Sequence, residues 1–295
     1  MPDLSGRAAI VTGANSGMGF EVARALAGRG CSVVLACRSE SRGRTAAASI
    51  RQASPAAQVE TLQLNLGDLA GIRCFAERFK ERYACLDLLI NNAGVLLAPY
   101  AKTQDGFEMH FGVNHLGHFA LTGLLMDRLL VAEEARIVTV SSKAHTMGRI
   151  CLSDLMFSDG KKYSAFRAYA NSKLANLLFC YELQRRLEGW RAISVAAHPG
   201  GAATDLGRHM SDCSMYRRML PLLQWLSQSA NEAARSVLRA AAAPDVVGGE
   251  YYGPGGVFGM RGAPVRRRSS LRSYDLDVAR KLWDTSQALT GVQYP

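Results

Sequence analysis

A doubly wound α/β fold, with about seven strands in a mostly parallel sheet and helices on both faces, is the class this sequence predicts. Three observations carry that expectation. Short apolar runs alternate with helical patterns from the N-terminus onward. The runs AAIVT, SVVLA and DLLIN are apolar on both faces, as parallel strands covered by helices must be. A glycine-rich turn follows the first run and opens the first helix.

Taken in order, Arg7 to Thr12 reads as a strand, and Gly17 to Gly30 as a helix that ends in glycine. Ser32 to Cys37 is a second strand and Ser41 to Ala53 a helix. Val59 to Leu64 is a third strand, Asp68 to Tyr83 a helix and Asp87 to Asn91 a fourth strand. One long helix is expected from about Gly106 to Val131. Arg136 to Val140 is a fifth strand, Ala165 to Glu188 a helix and Ala192 to Ala197 a sixth strand. Asn231 to Ala242 is a helix and Glu250 to Tyr252 a short last strand. No linker or repeat divides the chain, so residues 1–295 read as a single domain. Two segments depart from the alternation, Lys143 to Ala168 and Gly200 to Ala230. Both leave C-terminal strand ends, where ligands bind in this architecture.

Composition agrees. At 295 residues, 48% apolar and 20% charged, with nine prolines, the chain is neither disordered nor collagenous. A chain this long buries roughly 75% of its unfolded surface and needs no staple. The best candidate for a membrane span, Leu116 to Val131, is cut by Asp127 and Arg128. With no signal-peptide pattern either, a cytoplasmic location is expected. Seven cysteines (31, 37, 74, 85, 151, 180 and 213) form no C-x-x-C pair and read as reduced core residues. His115 and His118 lie one helical turn apart without a third ligand, so no metal is expected. The net charge of +10 suits an anionic cofactor, an anionic membrane or a nucleic acid. Zinc-finger spacings and aromatic RNA-binding signatures are missing, so nucleic acid is not an expected partner. Five basic residues crowd into Arg261 to Arg272. They read either as a solvated loop or as a contact for a polyanion or lipid.

The turn TGANSGMG places Gly13, Gly17 and Gly19 between strand and helix. Glycines there permit a tight turn and close backbone approach, and the helix N-terminus attracts a pyrophosphate. Asn15, Ser16 and Met18 complete this dinucleotide cradle. The second strand ends Ala36, Cys37, Arg38, Ser39, with no carboxylate before Glu40. A carboxylate there would hold a free ribose 2′-hydroxyl, whereas Arg38 suits a 2′-phosphate. NADP(H) is therefore expected over NAD(H).

Four signatures in this order resemble the short-chain dehydrogenase/reductases: TGANSGMG, NNAG at Asn91 to Gly94, the pair Ser141 and Ser142, and Tyr169-x-x-x-Lys173. Within that family, VNHLGHF and YANSKLAN look like the retinol dehydrogenase-like branch. The resemblance implies a Rossmann-type sheet, with Ser142, Tyr169 and Lys173 catalytic and Ser141 structural. Asn114 would support a water that links the lysine to solvent. Asn92, Ala93 and Gly94 would pass close to the cofactor ribose. Pro199, Gly200 and Thr204 would reach the nicotinamide end. Asn65 and Leu66 would take the adenine site, where the family commonly has an aspartate. The residue chemistry fits: Tyr169 and Lys173 share a helix face, and an ammonium favours the phenolate needed for acid–base work.

Gly200 to Ala230 is rich in methionine, leucine and tryptophan. It fits a lid about 200–230 over a lipophilic aldehyde, ketone or alcohol, and equally a helix packed on the body. The branch often carries an N-terminal membrane anchor, and none is expected from this sequence, so another lipophilic carbonyl is expected at least as much as retinol itself. Two other readings stay open. One is a catalytically silent dinucleotide-sensing protein, and the other an enzyme of the family with NAD preference. The family resemblance also makes a homodimer possible.

Overall fold

The computed structural model describes residues 1–158, 160, 163–201 and 228–295. Their sheet has eight strands in the order β3-β2-β1-β4-β5-β6-β7-β8. The strands are β1 (Ala8–Thr12), β2 (Ser32–Cys37), β3 (Val59–Gln63), β4 (Leu88–Asn91), β5 (Arg136–Val140), β6 (Ile193–Ala197), β7 (Tyr251–Pro254) and β8 (Pro264–Arg267). The first seven pair in parallel. Strand β8 pairs antiparallel to β7, with Tyr251 opposite Arg267. It is one strand more than expected, and it lies inside the stretch read as a loop. Its pattern is too short and too basic to stand out as a strand.

Alternation along each strand builds two cores. Ala9, Val11, Val33, Leu35, Leu88 and Ile90 face one side of the sheet. There they meet α1 (Gly17–Ala27) and α8 (Ala230–Ala242). Ile10, Val34, Leu89 and Ile137 face the other side, with residues of α3 (Leu69–Lys80), α5 (Gly117–Leu124) and α7 (Ala165–Arg186). Helix starts are set by side-chain caps. Ser39 caps α2 (Glu40–Ala53), Asp68 caps α3 and Ser164 caps α7. Ser229 and Glu232 form a reciprocal capping box on α8.

The expected long helix from Gly106 to Val131 is broken. It runs as α4 (Met109–Phe111), a π-helical turn Gly112–Leu116, α5, and α6 (Met126–Leu130). A widened turn of this kind recurs at functional sites. Two contacts stand at this turn. Gly117 packs so tightly on Leu66 that an added Cβ would lie 2.4 Å from its carbonyl oxygen. Asn114 turns its side chain onto the backbone of Val95 instead of to solvent.

A last helix, α9 (Leu276–Thr290), was not foreseen. Its Trp283 is buried against Phe119 of α5 and Phe179 of α7, with the Arg186 guanidinium 4.3 Å from the ring. The chain's own C-terminus thus covers part of the α5 and α7 surface. Of the cysteines, Cys31, Cys37 and Cys180 are buried as expected, while Cys74 and Cys151 are exposed. Cys213 lies outside the described residues. No helix among the described residues is long and apolar enough to cross a membrane.

Candidate active site

Strand order reverses between β1 and β4, and a crevice opens at their C-terminal ends. It holds a cavity of about 540 Å³. Gly13, Asn15, Ser16, Gly17, Met18 and Gly19 line its floor. Gly13 and Gly17 have φ of 67° and 56°, in the left-handed region that favours glycine. A Cβ on Gly19 would sit 2.5 Å from Asn92 Nδ2 and 2.6 Å from the Gly13 carbonyl, so this approach admits only glycine. Above Gly17 the space is open. Ser16, the N-cap of α1, makes no side-chain cap, which leaves the first amides of the helix for an anion. This cradle fits a dinucleotide pyrophosphate.

Thr12 ties the cradle to the next strand. Its hydroxyl oxygen accepts from the Asn92 and Ala93 amides, both at 2.9 Å. With both lone pairs used, it donates to His118 Nε2 at 2.9 Å. His118 Nδ1–H then donates to the Asn114 carbonyl at 3.0 Å. Burial, with Lys173 nearby, holds the His118 pKa down to about 4, so the ring stays neutral at physiological pH. His115 bonds the Ser286 hydroxyl instead. Both histidines seen in sequence as a bare pair are therefore engaged with hydroxyl and backbone partners.

Tyr169 and Lys173 share one face of α7, and both line the cavity. Lys173 is 4% exposed, and its ammonium donates to the Val140 carbonyl at 3.1 Å. Burial pushes its pKa down to about 8. Tyr169 moves the other way: burial raises its phenol, and a hydrogen bond with Ser142 opposes the rise. The expected lowering by Lys173 is not the dominant effect, because Lys173 Nζ stands 5.8 Å from the ring centroid and is turned to Val140. Ser142 begins the short 3₁₀ turn Lys143–Met147, and its Oγ accepts from the Ala144 amide. His145 donates Nδ1–H to the Ser142 carbonyl and accepts the Ser270 amide on Nε2, which fixes that turn. Ser141 is buried, with its hydroxyl on the Lys173 carbonyl. Asn114 does not line the cavity. Its amide bridges the Val95 backbone and the Ser172 hydroxyl. It adjoins the lysine through Gly94, where an added Cβ would lie 3.1 Å from Asn114 Oδ1 and 3.5 Å from Lys173 Nζ.

At the far end of the cavity stand Arg38, Ser39 and Arg42, with Asn65 and Leu66 beside them. Among the described residues neither guanidinium has an ion-pair partner. Asn65 Oδ1 already accepts the Gly67 amide at 3.2 Å.

Comparison with known proteins agrees with this geometry. The family model for short chain dehydrogenases matches residues 7–154. Human retinol dehydrogenase 12 is 42% identical over 99% of this chain and 88% of its own length. Human retinol dehydrogenase 11 is 41% identical over 98% and 87%. The chain belongs to the short-chain dehydrogenase/reductases, in their retinol dehydrogenase-like branch. A crystal structure of an uncharacterised Mycobacterium paratuberculosis protein is 42% identical, covers 100% of this chain and 97% of its own, and has a TM-score of 0.83. A Pseudomonas aeruginosa RhlG complex with NADP shares the fold, with a TM-score of 0.66 at 23% identity over 84% of this chain and 94% of its own. As a member of the family, the protein is an oxidoreductase acting on CH–OH groups with NAD(P).

The short-chain dehydrogenase cavity gathers most of the residues read from sequence, including Asn92, Ala93, Gly94 and Pro199. Gly200 instead packs outside it, against Met260 and Gln228, and of the serine pair Ser141, not Ser142, is on its lining. Thr204, and most of the expected lid at 200–230, lie outside the described residues. Sequence reading missed Arg42, Ser39, Lys102 and Gln104, which also line the cavity. Arg42 could have been found from its place in the first turn of α2, four residues after Arg38. A buried cluster behind the tyrosine was missed too. Glu108 accepts from two backbone amides and from His110 Nδ1, while His110 Nε2 accepts the Ala98 amide. The His110 ring meets Tyr169 edge-on at 6.3 Å. No motif marked it, since its partners are brought together by the fold.

Proposed function

We propose that this protein is an NADP(H)-dependent oxidoreductase that interconverts a lipophilic aldehyde or ketone and its alcohol. The observation that carries this reading is one cavity with the Tyr169–Lys173 pair at one end and Arg38 with Arg42 at the other. The two arginines suit a 2′-phosphate, which NADP(H) has and NAD(H) lacks. When bound, the cofactor supplies or accepts a hydride at its nicotinamide ring.

The chain's own residues handle the proton. A buried phenol with a raised pKa stays protonated at neutral pH, so Tyr169 is ready to donate to a carbonyl oxygen during reduction. In alcohol oxidation it takes the proton back. Ser142 hydrogen-bonds the same oxygen as charge develops there. The Lys173 ammonium favours the phenolate left after donation, and Asn114 supports the path by which the lysine regains a proton from solvent. Val95, Met109 and Val113 line the same cavity and suit a lipophilic substrate. The names of the relatives make retinal the first carbonyl to test.

The test is NADPH consumption with a panel of lipophilic aldehydes and ketones that includes retinal. Turnover of at least one member is expected. Tight NADPH binding without turnover across the panel would favour a cofactor-sensing role instead. The same assay gives a pH dependence. Lys173 is charged below about 8 and neutral above it. Reductive kcat/KM should therefore hold steady below pH 8 and fall above it. A fall that begins below pH 7 would contradict this assignment of the limb.

A further inference from the structure

Exposed apolar side chains and positive charge meet at one rim of the protein. Between Phe258 and Tyr274 the sequence has five arginines and no acidic residue. The same stretch exposes Leu271 (90%) and Phe258 (79%), the two most exposed large apolar side chains among the described residues. It is sewn to the turn that follows Ser142. The Lys143 ammonium donates to the Phe258 carbonyl, the Ser270 amide donates to His145, and Arg272 donates to the Thr146 and Gly148 carbonyls. That turn exposes Met147 (62%) between them.

These ties place Phe258, Met147 and Leu271 on the same rim as Lys143, Arg268 and Arg272. Arg272 and Lys143 hydrogen-bond only neutral carbonyls in these contacts, so their charge is not cancelled there. Arg266 pairs with Glu250, and Arg261 is not free either; the charge that remains is that of Lys143, Arg268 and Arg272. Large apolar side chains interleaved with cations are the composition of a surface that seats in the headgroup layer of an anionic bilayer. An acidic protein or a nucleic acid would use the cations, but would leave Leu271 and Met147 without an apolar phase to enter.

We propose that the rim formed by residues 143–148 and 258–274 docks this protein on an anionic lipid surface. The rim adjoins Ser142, the residue that begins the turn Lys143–Met147. Docking there would bring a bilayer-dissolved substrate to the mouth of the site; this last point rests on the lipophilic-substrate reading, whereas the docking does not.

Sedimentation with vesicles tests it without reference to activity. Vesicles of phosphatidylcholine with about 30% phosphatidylserine should bind the protein at least about tenfold more tightly than phosphatidylcholine alone. About 0.5 M salt should remove most of that difference by screening. Arg268→Glu and Leu271→Ser, both on exposed side chains, should each weaken binding at least about fivefold while turnover of a water-soluble carbonyl stays unchanged. No preference for the anionic vesicles, or full binding by Leu271→Ser, would overturn the proposal. Binding to DNA or heparin that exceeds vesicle binding and ignores Leu271→Ser would assign the rim to a polyanion, and would overturn it as well.

Discussion

Replacing Tyr169 with phenylalanine should lower kcat about 10²–10⁴-fold, the range for losing a positioned general acid. The substitution removes one oxygen and keeps the ring. Its edge-on contact with His110 at 6.3 Å and its place on α7 both survive, so the fold is not at risk. NADPH affinity should change little, since the glycine cradle and the arginine pair are untouched. This split separates a chemical role from a binding role. Ser142 cannot compensate, because its own proton is not acidic enough and its hydroxyl is anchored to the Ala144 amide. Near wild-type turnover by Tyr169→Phe would remove the tyrosine from the mechanism and leave the family assignment intact. Lysine substitution is a less clean probe. Lys173 donates to Val140 beside the Asn176 amide, so its loss would also disturb the packing of α7 on β5.

Cofactor choice should reverse on Arg38→Asp. A charge-assisted hydrogen bond contributes about 1.5–3 kcal/mol, and each 1.4 kcal/mol is tenfold in affinity. Loss of that bond, with a carboxylate now facing the 2′-phosphate, should weaken NADPH at least about 10²-fold. NADH should improve, because a carboxylate at the end of β2 can accept from both ribose hydroxyls. The double substitution with Arg42→Ala should go further, since both guanidinium groups line the same end of the cavity. An unchanged KM for NADPH in Arg38→Asp would mean that the arginine is a solvated surface residue. The proton chemistry at Tyr169 would be unaffected by that outcome.

The parts that were legible in sequence share a physical reason. Strands apolar on both faces, such as Val33 to Ala36, have no other stable place than a covered parallel sheet. Glycines at Gly13, Gly17 and Gly19 and the Tyr169–Lys173 spacing are local signals, readable from one stretch of chain. What was missed depends on contacts between distant stretches. Strand β8 exists because Arg267 finds Tyr251 across the sheet edge, and its alternation over four residues is too short to show. Helix α9 is held by Trp283 inserting between Phe119 and Phe179. The break at Gly112–Leu116 coincides with Asn114 bonding Val95, a partner nineteen residues away. The Glu108–His110 pair carries no sequence signal, because the Ala98 amide that completes it comes from another stretch of chain.

The most direct test is a crystal structure of the protein grown with NADPH. The 2′-phosphate should lie between Arg38 and Arg42, the pyrophosphate over Gly17, and the nicotinamide ring within reach of Tyr169. A cofactor whose 2′-phosphate points to solvent away from both arginines, or whose nicotinamide lies far from Tyr169, would contradict this prediction.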